Sequence, residues 1–290
     1  VSLNVSQARW GGQDFTIAAY VIWWIGAAWI FGTLFFVFFV LISRHSISDC
    51  ELTPLIFVPA VSVAMLSSTG GLVSSYSTNI SPGLAVPVII MYFCSVGVGL
   101  IMAMFLYTYL LHRLLAKGRP HAEQVATMFM FVGPLGQCDA ALQLLSSVAS
   151  TYSKFAGYNQ GTFLARMAAM PLDVACALLA LLITGMATVW LVFAFFVMFF
   201  QLFRRELRWN PMWNPTIFPT GTLATSTLQL GAELDSAFFK VVTGILIVFL
   251  VIVFFGNLGA TVWQVAKREL LVVKEDPRVK AQMGEVQKER

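Results

Sequence analysis

The sequence predicts an all-α integral membrane protein with seven transmembrane helices. Composition points there first: 58% of the 290 residues are hydrophobic, mean hydropathy is +0.80 and only 11% are charged, against roughly 25% charged residues in soluble domains. Charge spacing points the same way. No Asp, Glu, Lys or Arg occurs at 15–43, 52–112, 174–203, 209–232 or 241–266, and each gap holds one or two of the helices of about 20 residues that a hydrocarbon core of about 30 Å requires. A third sign is that Lys and Arg gather in alternate connections.

The spans follow in chain order. The first gap gives a helix over about 15–42. The second gap must hold two, about 54–75 and 84–111, because YSTNISPG (76–83) brings Gly, Pro, Asn and Ser together as a turn. The next four are expected near 126–149, 172–203, 215–234 and 238–266. Basic residues set the orientation: three stand in HRLLAKGRPHAEQV, three in RRELRW and seven in the tail from Lys267, whereas 76–83 has none and 150–171 has two. The tail and the Arg-rich connections are therefore expected in the cytoplasm. Residues 1–14 are read as an outer loop remnant, 15–267 as the transmembrane domain and 268–290 as a cytoplasmic tail.

The net charge of +4 belongs to this topological bias and gives no reason to expect nucleic acid as a partner. The lipid bilayer is the expected surroundings, with the plasma membrane as location. Two sequons, at Asn4 and Asn79, fall on the expected outer side. Cys50, Cys94, Cys138 and Cys176 show no metal spacing and are expected to be buried or membrane-embedded. His45, His112 and His121 are expected in loops without carboxylate partners. No motif calls for a metal, a cofactor or catalytic residues, so an enzyme is not expected. The chain begins with Val and has no leader, which leads us to expect a piece of a longer product.

Two kinds of span alternate. Those starting at 15, 84, 172 and 238 are rich in Phe, Ile, Leu and Val and suit lipid. Those starting at 54, 126 and 215 contain FVPAVSVAMLSSTGG, FVGPLGQCDAALQLLSS and FPTGTLATSTLQLG; small residues permit close helix packing and Ser, Thr and Gln bond across helices or to water. Pro59, Pro134 and Pro219, 75 and 85 residues apart, mark these segments as kinked helices of a two-helix repeat. Helical spacing aligns Phe218, Thr222, Thr225 and Gln229, then Gly136, Ala140, Gln143 and Ser147, and more briefly Ser67, Gly71 and Ser74. Such neutral hydroxyl-bearing faces suit a water-accessible path for a small solute. Tight packing of an inert bundle is the other reading, since membrane Ser and Thr commonly bond their own i−4 carbonyls.

The stretches NPMWNPTIFPTGTLATSTLQLG, MFMFVGPLGQ and, more loosely, FVPAVSVAMLSSTGG resemble the tellurite-resistance/dicarboxylate transporter family, which includes plant slow anion channels, fungal malate transporters and fungal sulfite efflux pumps. The GPLGQ form is most similar to the sulfite pumps. The resemblance, over about 15–267, implies ten helices in five hairpins with an inner and an outer ring; the seven spans here would match helices four to ten, and a chain without the first three is expected to be inactive. It implies Phe218 as the pore gate, Thr222, Thr225 and Gln229 as pore-lining residues, Gly133, Pro134, Gly136 and Gln137 as shaping the fourth span here, and a homo-oligomer, a trimer.

Asp139 departs from the small residues expected after GPLGQ. A carboxylate within a span is a functional candidate by default. Either it faces a neighbouring helix partner, which we favour, or it couples protons, or it impairs anion transport. The expected function is export of a small anion, sulfite or bisulfite; a malate or dicarboxylate transporter is the nearest alternative and a seven-span receptor the alternative of another class.

Overall fold

The computed structural model describes residues 12–44, 54–76, 80–118, 122–149, 154–205 and 209–267. Among them the α-helices are α1 (Gly12–Arg44), α2 (Val58–Tyr76), α3 (Pro82–Lys117), α4 (Val132–Ala149), α5 (Lys154–Tyr158), α6 (Arg166–Phe203), α7 (Ile217–Glu233) and α8 (Ala237–Ala266). Short 3-10 helices at Pro54–Phe57, Ala122–Phe131 and Pro211–Thr216 run directly into α2, α4 and α7. Six helical segments, at α1, α2, α3, α4, α6 and α8, are long and apolar enough to cross a membrane. The seventh expected span, 215–234, is helical over the 17 residues of α7, about 25 Å, and falls short of that set. Residues 1–11, with Asn4, and Asn79, His45, Cys50, His121 and the expected tail 268–290 lie outside the described residues.

Helix starts explain where the sequence-based limits drift. Pro59, Pro134 and Pro219, expected as kinks, are the second or third residue of α2, α4 and α7. There the missing N–H would have had no intrahelical acceptor, so each proline marks the change from 3-10 to α geometry and interrupts nothing. Helix α3 opens on Ser81 with Pro82 following and closes at Gly118, whose φ of 76° suits glycine and whose N–H reaches the Leu114 carbonyl at 2.9 Å. His112, expected in a loop, is part of α3. Helix α6 begins six residues before the expected 172, with Pro171 inside it.

Helices up to Leu250 form one compact unit and Val251–Arg290 a second. In the first, α4 is the most enclosed element: 94% of the window over Val125–Ala149 is buried, against 61% for α2, 39% for α3 and α6 and 11% for α1. Small residues make this possible. A β-carbon on Gly136 would stand 2.5 Å from Thr222 Oγ1 and 2.9 Å from the Leu223 nitrogen, and one on Gly71 would stand 2.8 Å from Leu144 Cβ. Gly70 lies equally close to Trp23 and Tyr92, and Trp23 Nε1 donates to the Leu66 carbonyl at 3.2 Å, tying α1 to α2. At the other end of α2 an aromatic cluster joins four elements: Phe131 stacks on Trp190 at 4.6 Å and meets Phe57 edge-on at 5.2 Å, while the Tyr107 hydroxyl donates to the Phe131 carbonyl.

The outer faces are apolar as lipid requires. Exposed Ile22, Trp29, Phe35, Phe105, Leu182 and Phe196 lie on α1, α3 and α6. Cys138 and Cys176 are buried, and Cys94 is exposed on α3, one of the membrane-length helices. Within the second unit, the last turns of α8 expose Val262 and Trp263, and Lys267 Nζ sits 4.8 Å from the Trp263 ring centre, a pairing suited to a membrane–water boundary.

Candidate functional site

Helix α4 lies between α2 and α7, and each of the three leaves one stripe accessible. On α7 the stripe is Phe218, Gly221, Thr225, Leu228 and Gln229. On α4 only Gln137 and Ser147 escape burial. On α2 it is Val58, Val61, Ser62, Met65, Thr69 and Leu72, spaced as one helical face. The three meet at Gly133, where a β-carbon would stand 3.6 Å from Val61 Cγ2 and 3.7 Å from Pro219. One turn further along, Ser68 Oγ donates to Gln137 Oε1 at 2.5 Å. From Val58 to Leu72 on α2, on α4, and from Phe218 to Gln229 on α7 these stripes carry no charged side chain; Glu233 stands exposed at the end of α7.

The expected pore residues divide between this surface and the helix contacts. Phe218, 39% exposed, Thr225, Gln229, Gln137 and Ser147 lie on the stripes. Thr222 is buried against Gly136 and donates to the Pro219 carbonyl at 2.7 Å; Ser67 is buried and bonds the Ala64 carbonyl; Gly71 abuts Leu144; Gln143 is buried on another face of α4. Thr222, Gly136, Ser67, Gly71 and Gln143 are thus buried at helix contacts. The structure adds Ser62, Met65 and Thr69, which the sequence pattern missed because α2 was aligned on Ser67 and Gly71.

Hydrogen bonding fixes what the stripes present. Ser62, Thr69, Thr225 and Ser147 each donate to a carbonyl four residues back, at 2.8, 3.0, 3.0 and 3.2 Å. Their hydroxyl hydrogens are therefore used within their own helices. Gln137, whose Oε1 is engaged by Ser68, keeps an NH2 that can donate.

Asp139 faces away from the stripes. It is fully buried and accepts from Gln143 Nε2 at 2.8 Å on one oxygen and from the hydroxyls of Thr184 on α6 and Ser226 on α7 on the other. Three donors from three helices satisfy a carboxylate that water does not reach. Gln143 Nε2 also reaches the Ser226 carbonyl at 3.2 Å. Nearer the end of α4, Ser146 Oγ contacts Asp173 Oδ1 of α6, and Glu233 Oε1 of α7 at 3.1 Å. The signal for this seam was present as Asp139, Gln143 and Ser146 at i, i+4 and i+7; its partners on α6 and α7 carry no spacing that would single them out.

Residues 1–262 match the family described as voltage-dependent anion channel, SLAC1. Sulfite efflux pumps from Trichophyton rubrum and Arthroderma otae are 26% and 27% identical to the chain over 223 and 224 residues, which cover 77% of this chain and 56% of each relative. The chain therefore matches little more than half the length of those relatives. No solved structure matches. A family match over nearly the whole chain, on apolar membrane-length helices with a buried small-residue interior, gives the assignment: the chain belongs to the voltage-dependent anion channel family.

Proposed function

We propose that the chain supplies one wall of a gated path for a small anion, and that the anion is sulfite or bisulfite, exported across the plasma membrane. The accessible stripe shared by α2, α4 and α7, uncharged from Phe218 to Gln229 on α7, carries this reading. Polar but neutral walls let an anion pass without the tight binding that fixed Lys or Arg would impose. The names of the relatives support sulfite as the substrate. Phe218 is the gate, Thr225, Gln229, Gln137 and Ser147 line the path, and α7 with its 3-10 lead-in completes seven spans corresponding to helices four to ten of a ten-helix, trimeric assembly. The N-terminus of the chain lies outside and its C-terminus in the cytoplasm, in keeping with the distribution of Lys and Arg. A seven-span receptor has no support once family membership is established.

Reconstitution of the complete protein into sulfite-loaded vesicles tests this. Sulfite should leave faster than from protein-free vesicles; retention of sulfite with release of loaded malate would move the substrate to dicarboxylates, and retention of both would overturn the reading.

A further inference from the structure

Two side-chain amides stand on the accessible stripes, Gln137 on α4 and Gln229 on α7, and only one of them is held. Gln229 Oε1 is buried without a partner among the described residues, so nothing fixes which end of that amide faces outward. Gln137 is different. Ser68 of α2, 8% exposed, places its Oγ 2.5 Å from Gln137 Oε1. A separation this short falls in the range of O–H···O hydrogen bonds, about 2.5–3.0 Å, and below that of N–H···O bonds, about 2.7–3.2 Å. The contact therefore assigns the amide, with its oxygen on Ser68 and its nitrogen turned away. The Met65 carbonyl of α2 lies 3.1 Å from the same Oγ, but the hydroxyl has one hydrogen and the shorter contact claims it.

The position of this pair gives it a role. Gln137 escapes burial on α4, and among the described residues its nitrogen is not one of the enclosed polar atoms. It stands one turn beyond Gly133, about 6 Å along the axis, where Val61 and Pro219 close in and Phe218 precedes them. The hydroxyls of Ser62, Thr69, Thr225 and Ser147 spend their hydrogens within their own helices, and no Lys or Arg occurs from Val58 to Leu72, on α4 or from Phe218 to Gln229. A free glutamine amide does not discriminate by charge, because its NH2 suits an anion and its oxygen a cation. Ser68 removes that ambivalence by occupying the oxygen.

We infer that Ser68 is a positioning residue for charge selectivity: by holding Gln137 Oε1 it presents the NH2 to the path, and Gln137 is the donor that an anion meets one turn past the Phe218 constriction. The chemistry suits an oxyanion, whose oxygens accept an N–H bond, and disfavours cations, which find no held amide oxygen there. The inference rests on the anion-path reading above.

A double-mutant cycle on the complete protein in vesicles tests it, with sulfite efflux followed against internal sulfite and reversal potentials recorded under a salt gradient. Ser68→Ala should raise the half-saturating sulfite concentration about tenfold, the scale of one lost hydrogen bond to a charged group. It should also move the reversal potential toward zero, since a released amide presents oxygen as readily as nitrogen. Ser68→Thr, which keeps the hydroxyl, should stay near the native values. In a Gln137→Met background Ser68→Ala should change neither quantity further, because Ser68 acts through that amide. Native values of both quantities in Ser68→Ala, or an undiminished effect of Ser68→Ala in the Gln137→Met background, overturn the inference and leave anion transport standing. Retention of sulfite by vesicles carrying the native protein overturns the transport reading and this inference together. Should Ser68→Ala fail to insert, Gln137→Glu, which replaces the NH2 by oxygen at nearly constant volume, must lose anion selectivity, and native selectivity in that variant counts against the donor.

Discussion

Replacing Phe218 by Ala should raise anion conductance. The ring stands on the accessible stripe of α7, 39% exposed, at the level where Pro219 and Val61 close on Gly133. It is the bulkiest side chain on the α7 stripe, ahead of a glycine and a threonine at the next two positions on that face. If the ring adds about 1.4 kcal/mol to the passage barrier, its removal speeds passage about tenfold. Its exposure also limits the structural cost, since a partly solvated ring contributes less than the roughly 3–5 kcal/mol of a fully buried one. Single-channel or macroscopic currents at equal surface expression provide the measurement, and unchanged conductance would remove Phe218 as the constriction.

Replacing Asp139 by Ala should destabilise the helix bundle without opening the path. The substitution strips the acceptor from two buried hydroxyls, Thr184 and Ser226, while Gln143 keeps its bond to the Ser226 carbonyl. Interhelical hydrogen bonds in membranes average about 0.6 kcal/mol but reach about 1.7, so a loss of about 1–3 kcal/mol is expected for two orphaned hydroxyls. Asn should cost less, because it retains one carbonyl oxygen and the hydroxyls can rotate to accept from its NH2. Unfolding in detergent reports both changes. Equal stability of the Ala and Asn variants would show that the carboxylate does not tie α4 to α6 and α7.

Much of the architecture was legible because membranes impose simple rules. Charge gaps gave helices over α1, α3, α6 and α8, and the contrast between Phe-rich and small-residue segments matches the difference in burial between α1, α3 and α6 on one side and α2 and α4 on the other. The 3-10 lead-ins were not legible, since Pro59, Pro134 and Pro219 read equally well as kinks or as first-turn residues. Nor was α5, a five-residue helix too short to show a period.

The site was legible to the level of the helix and less so to the face. A small or hydroxyl residue serves a path and a tight helix contact alike, so Thr222 and Thr225 look equivalent in sequence. The close approach of Gly136 to Thr222 decides between them, and that approach depends on two segments 86 residues apart. Asp139 illustrates the converse. Its chemistry marked it at once, but its direction depended on Thr184 and Ser226, which nothing in the sequence linked to it.

The stripe itself can be tested by accessibility. In a background with the four native cysteines replaced, Thr225→Cys and Thr222→Cys should be exposed in turn to a small, charged thiol reagent while anion flux is recorded. Thr225→Cys should react and block flux, with the anion slowing the reaction, and Thr222→Cys should stay unmodified behind Gly136. Modification and block at 222 with none at 225 would contradict the assignment of the α2, α4 and α7 stripe as the wall of the path.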